Sequence, residues 1–279
     1  MGIATSQQLT RYYDLYRDTD IVFTKQVIRT LNLNPRQIFV KCNGSQWPCI
    51  LNSTSLNSCK IIVNSNGGAV AALAKAGNSI VNIYFCFTPP DVQPITFFVN
   101  VKVDNNAIKP YNGNKDLSVV TLNFTQRPPD DLIEIIGTVL EANANSVQRR
   151  DERIAITADS KRKLNLLKEE TFVYMQNVPR HCIIRDISFS GAKLIMLGVK
   201  AFVVNKDVFL HFDFTDPQEP MDIKGKVVTV EDVAGRRDLI VANILFDEAQ
   251  VPISYKLRIN SYITSVRKQQ LQDNEITQG

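Results

Sequence analysis

The chain has 279 residues, 44% of them hydrophobic and 22% charged, with a formal net charge of +4. This balance excludes a disordered or fibrous protein, leaves room for two ordinary domains, and is too weakly basic to coat nucleic acid by charge alone. No apolar run approaches the roughly 20 residues of a membrane span, and the N-terminal MGIATSQQLT has no charged region leading into an apolar one. A cytoplasmic protein without membrane insertion is therefore expected.

Leu9, Tyr12, Tyr13 and Tyr16 fall at i, i+3, i+4 and i+7, the stripe of a short docking helix within residues 1–20. From 21 to 141 the pattern changes to short β-rich runs at 38–41, 49–51, 61–63, 80–85, 97–103 and 117–124, separated by Asn, Gly, Ser and Pro. Such spacing predicts an antiparallel barrel or sandwich. Pro128-Pro129-Asp130-Asp131 opens a helix whose apolar face is Leu132, Ile135, Ile136, Val139 and Leu140, with prolines and carboxylates where a helix start favours them.

The small, polar Ala142-Asn143-Ala144-Asn145-Ser146 is expected to be a hinge, and 142–153 a linker that carries Arg149, Arg150 and Arg153. A second set of β runs follows at 154–156, 172–174, 182–184, 193–196, 208–212, 223–228 and 239–246. A closing helix after Pro252 completes a domain spanning 154–270, and 271–279 is expected as a disordered tail. The fold class is thus mainly β, with two split antiparallel barrels, each followed by a C-terminal α-helix. The five cysteines include no CxxC pair and only His181 and His211 could join them in a metal shell, so buried apolar roles and no metal site are expected.

The two halves also repeat in letters. PCILNSTSLNSCKIIV (48–63) overlays HCIIRDISFSGAKLIM (181–196), which puts Ser53 where Asp186 is and Ser58 where Gly191 is. The special residues stand only in the second copy, which favours a ligand site there and none in the first.

Arginines could fork to phosphate oxygens or to guanine O6 and N7, or stack on the base. An aspartate such as Asp186 accepts from the N–H edge of guanine, the Ser188 hydroxyl can hold a phosphate or base edge, and Gly191 lets backbone come close. Taken separately, a charged linker and a polar turn would explain these residues; together they suit a guanine nucleotide. No nucleophile with a base, paired acid or Gly-rich phosphate loop accompanies them, so binding rather than catalysis is expected.

Arg149-x-x-x-Arg153 and Asp186-x-Ser188-x-x-Gly191 resemble the RxxxR and [D/N]xSxxG motifs of the PilZ domain family of cyclic di-GMP receptors. The resemblance covers about 148–270, and the first 140 residues are similar to the degenerate PilZ-like domains of two-domain receptors, which include flagellar-brake and PlzA-type branches. It implies a six-stranded split barrel that holds cyclic di-GMP between its surface and the arginine segment, with no other cofactor. It also implies a change in interdomain arrangement on binding and a protein partner in the flagellar motor or in transcription. Gln148 stands where some members carry another basic residue and hold a stacked ligand pair, so stoichiometry stays open with one ligand favoured. The competing expectation is a nucleic-acid-binding barrel using Lys161, Arg162, Lys163, Arg236, Arg237, Arg267 and Lys268. It needs an exposed aromatic platform, whereas Phe172, Phe209, Phe212 and Phe246 read as core.

Overall fold

A computed structural model describes residues 4–76, 79–104 and 108–278, except for the side chains of Arg237 and of residues beyond 270. The chain divides into two compact units, Met1–Glu141 and Ala142–Gly279.

Unit 1 runs α1 (Ser6–Tyr16), β1 (Ile21–Val22), α2 (Lys25–Thr30), β2 (Phe39–Cys42), β3 (Ser45–Pro48), β4 (Ile50–Thr54), β5 (Ser58–Asn64), α3 (Ala69–Ala74), β6 (Val81–Phe87), β7 (Ile95–Val103), β8 (Lys109–Tyr111) and β9 (Asn114–Phe124), and ends within α4 (Asp130–Gln148). Its antiparallel sheet has the order β1-β4-β5-β9-β7-β6-β2-β3, with β8 also on β9. The sheet returns on itself because β3 and β4 are two halves of one strand, interrupted only at Cys49, whose N–H still donates to Ile38 O at 3.1 Å. β6 points Val81, Ile83 and Phe85 into the core, the period-2 consequence of side chains alternating across a strand.

Unit 2 holds the end of α4, then β10 (Ile154–Ala155), α5 (Ala158–Leu164), β11 (Glu170–Met175), β12 (Val178–Ile187), β13 (Gly191–Leu197), α6 (Lys200–Val203), β14 (Asp207–Thr215), β15 (Gln218–Val233), β16 (Arg236–Phe246) and α7 (Ile253–Gln278). The pairing β12-β11-β14-β15-β16-β13 closes when β13 pairs back with β12, giving the expected six-stranded barrel. Val173, Leu194, Leu210, Phe212, Ile223 and Val227 are fully buried within it. Helix α7 covers the barrel with Tyr255, Ile259 and Ile263, an i, i+4, i+8 stripe led by a tyrosine.

Two segments differ from the sequence reading. Residues 142–148, expected as a linker, are helical within α4. They contain alanine and no glycine or proline, so nothing in the backbone breaks the helix. Two of their polar side chains are also bonded: buried Asn145 donates to Asn260 Oδ1 at 2.6 Å and Ser146 Oγ donates to Asn143 O at 2.7 Å. Helix α7 likewise continues through Gln278, over most of the expected tail; Gly279 lies outside the described residues. All five cysteines are free and buried, and burial pushes the thiols of Cys49 and Cys182 up to about 12. Among the described residues no helix is long and apolar enough to cross a membrane.

Helix α1 docks where α4 carries Gly137: an added Cβ there would lie 2.5–2.7 Å from Tyr12 side-chain atoms. Tyr12 is 1% exposed and its hydroxyl donates to Glu141 at 3.2 Å, while Arg11 donates to the same carboxylate at 2.6 Å. In unit 2, the Tyr255 hydroxyl donates to Ser188 O at 2.9 Å, and burial raises its pKa far enough to keep it a donor at all ordinary pH. Two stability measurements follow from these contacts. Gly137→Ala should cost about 1–3 kcal/mol through overpacking against Tyr12, read as a lower melting temperature; an unchanged one contradicts this docking. Tyr255→Phe should cost about 1–3 kcal/mol by leaving the Ser188 carbonyl without its donor, read by urea titration followed by amide hydrogen exchange of unit 2 peptides, and an unshifted transition would remove that brace.

Candidate functional site

Helix α4 ends at Gln148, and the next turns are tied by Arg149 N–H to Asn145 O (2.8 Å) and Glu152 N–H to Arg149 O (3.1 Å). The chain then enters β10, which pairs with β12 in the register Ile154↔Ile187 and Ala155↔Asp186. That short pairing sets the arginine segment beside the Asp186–Gly191 turn. A β-bulge in β12 between Ile184 and Asp186, against β13, re-aims the strand just before the aspartate. Arg153 Nη1 donates to Asp186 Oδ1 at 2.9 Å, with side chains 40% and 21% exposed. A pair this exposed adds little to stability; its effect is to hold a guanidinium and a carboxylate ready at one place.

The other two arginines differ. Arg150 faces Glu248 at 3.6 Å. Arg149 is half-buried, and among the described residues no carboxylate pairs with it.

The turn itself is built by its own serines. Ser188 N–H donates to Gly191 O at 2.8 Å, and Ser190 N–H donates to Ser188 Oγ at 3.3 Å. Ser188 is 0% exposed, so the hydroxyl expected to face a ligand is engaged inside the turn. Gly191 also has a different task from those expected of it. Its backbone does not require positive φ, but an added Cβ would lie 2.1 Å from Ile244 O on β16, so glycine is needed for β13 to approach β16.

Three contributing residues were not found by sequence reasoning. Ser190 Oγ donates to Asp151 Oδ1 at 2.9 Å, tying the turn to the arginine segment, and Tyr255 holds the turn from α7. Asp151 and Ser190 lie inside the motifs already singled out, whereas Tyr255 carries no local signal.

Unit 1 contains the same construction with a different set of charges. Its bulge falls between Leu51 and Ser53, β1 pairs with β4 as Val22↔Ser53, and Ser55 N–H donates to Ser58 O at 2.8 Å. Asn57 Nδ2 donates to Asp18 Oδ1 at 2.7 Å, in the place of Ser190 and Asp151. The same register puts Tyr16 at the position of Arg149, Arg17 at that of Arg150 and Asp20 at that of Arg153. Asp20 accepts from Lys60 Nζ at 2.5 Å and from Ser53 Oγ at 3.4 Å. The charge of the arginine position is thus reversed and neutralised from within.

The basic residues considered for nucleic acid are mostly paired. Lys161 pairs with Glu169, Arg162 and Lys163 with Asp159, Arg236 with Asp238, and Arg267 with Glu152. Arg237's side chain lies outside the described residues. Phe212 and Phe246 are core as expected; Phe209, also expected there, is 43% exposed because it falls on the outer face of β14, opposite Tyr174.

Comparison with known proteins matches residues 7–143 to the PilZN3 domain and residues 147–246 to the PilZ domain. A relative from Treponema denticola, described as a cyclic di-GMP binding protein, is 47% identical over 270 residues, covering 96% of this chain and 85% of its own. Among solved structures, Borreliella burgdorferi PlzA in complex with c-di-GMP is 25% identical with a TM-score of 0.42, covering 92% of this chain and 98% of that one. Escherichia coli YcgR in complex with c-di-GMP is 12% identical with a TM-score of 0.30, covering 90% and 92%. The chain belongs to the PilZ family, as a two-domain member with an N-terminal PilZN3 domain and a C-terminal PilZ domain.

Proposed function

We propose that unit 2 is a receptor for cyclic di-GMP and that Arg149, Arg150, Arg153, Asp186, Ser188 and Gly191 form its site. The observation that carries this reading is the Arg153–Asp186 contact at 2.9 Å, which joins the two motif halves across 33 positions of sequence. The 47% identical cyclic di-GMP binding protein supports it. Arg149, Arg150 and Arg153 donate forked hydrogen bonds to phosphate oxygens or to the O6/N7 edge of guanine, and Asp186 accepts from the guanine N–H edge. Ser188 and Gly191 act by fixing the turn and the strand approach beneath these groups. The ligand exchanges the Arg153–Asp186 pair for contacts of its own. The site binds without turnover, and the five reduced, buried cysteines suit the cytoplasm.

The arginines lie at the C-terminal end of α4, the helix in which the unit boundary falls. Ligand binding at this place changes the arrangement of the two units and so the surface offered to a protein partner, with motility control as the output. Such a shift requires the ligand to bind the two arrangements unequally.

Each arginine removed should cost about 1.5–3 kcal/mol of binding, so Arg149→Ala with Arg153→Ala should abolish the calorimetric signal for cyclic di-GMP at micromolar protein. Undiminished affinity in the double variant would falsify the site assignment. Small-angle scattering with and without the dinucleotide should give distinct curves for the full chain, and superimposable curves from saturated and free protein would reject the rearrangement while leaving the binding site in place.

A further inference from the structure

Beside the Asp186–Gly191 turn, unit 2 has a narrow crevice between the end of α4, the strand end at Phe246 and the first turn of α7. Its floor is Phe189 and Phe246, both nearly fully buried, and its rim carries Arg150, Ser190, Glu248 and Lys256. The cavity volume is only about 10 Å³, room for no more than one water. Two cations thus line a crevice that one carboxylate, Glu248, occupies from the side, 3.6 Å from the Arg150 guanidinium.

Lys256 lines the crevice from α7. Its side chain is half-buried, and burial lowers its pKa while Glu248 pulls the other way. Among the described residues no carboxylate lies within ion-pair distance of it. Arg258, two residues on, shows the alternative: it is held by Glu219, by the carbonyls of Asp216 and Pro217 and by the Phe214 ring. A half-buried ammonium without a counter-ion within ion-pair distance attracts an anion, and its position in the first turn of α7 adds the positive end of the helix dipole.

The geometry points to a second anion pocket on the flank of the cyclic di-GMP site, in which Arg150 and Lys256 receive a phosphodiester group of the bound dinucleotide after displacing Glu248. This assignment rests on the function proposed above. It makes Lys256, outside both motifs, a residue that sets affinity, and it makes Glu248 an internal competitor of the ligand. Ser190 links pocket and turn, because it lines the crevice and also holds Asp151 in the arginine segment.

The two residues give effects of opposite sign on one measurement. In titration calorimetry of the full chain with cyclic di-GMP, Lys256→Gln should weaken binding about tenfold or more, as the loss of a charge-assisted contact. Lys256→Arg should recover most of that loss. Glu248→Gln should tighten binding severalfold, since a contact that must be broken is gone. Thermal melting of the free variants serves as the folding control. If the natural chain binds, Arg153→Ala abolishes binding, and both Lys256→Gln and Glu248→Gln leave affinity unchanged, the pocket is overturned while the site stands. If the natural chain fails to bind cyclic di-GMP, the site itself is overturned and the pocket with it.

Discussion

The structure of the second unit depends on one turn. Between β12 and β13 the chain reverses at Ser188–Gly191, and in doing so it both closes the six-stranded barrel and fixes the edge on which the charged groups stand. The turn is held from four directions: by its own serine hydroxyls, by Tyr255 from the covering helix, by Phe246 N–H donating to Ser190 O at 2.7 Å, and by Ser190 donating to Asp151. Buried polar groups satisfied this fully make a rigid support. A rigid support is what a binding site of long, flexible arginines needs, because their ordering costs entropy that only a fixed set of partners can repay.

The same support occurs in unit 1, which separates what the fold requires from what a ligand requires. Bulge, short edge pairing, serine turn and side-chain tie to the preceding segment all recur there. They therefore belong to the barrel. What does not recur is the set of charges: Tyr16 and Asp20 stand where Arg149 and Arg153 are, Ser53 stands at the aspartate position, Lys60 neutralises Asp20, and the one arginine that recurs, Arg17 at the Arg150 position, pairs with Asp18. An anion brought to that edge would meet a carboxylate that already has its cation. The serine and glycine of the motif are thus part of the architecture, and the arginines and aspartate are left for the recognition proposed above.

Much of this was legible from the sequence. The strands announced themselves as short β-rich runs evenly spaced between turn residues, and the repeat was visible because Cys49 and Cys182, and Lys60 and Lys193, occupy matching places. The candidate site could be singled out because its cations and its turn are each compact in sequence. The tasks of Ser188 and Gly191 were not, since they are set by Tyr255 and by the Ile244 carbonyl on distant elements. Nor was the helical state of residues 142–148, where small polar residues read as a hinge until Asn145 finds Asn260. Lys256 and Glu248 were invisible for the same reason: one lies in a helix and the other before it, and only the packing of α7 brings them to Arg150.

Amide hydrogen exchange read by mass spectrometry, on the full chain with and without saturating cyclic di-GMP, tests the central claim most directly: one construction built twice, with recognition in one copy only. The account predicts new protection in peptides covering 149–153 and 186–191, and none in the corresponding peptides covering 16–20 and 53–58. Protection appearing equally in both copies, or only in the first, would contradict it.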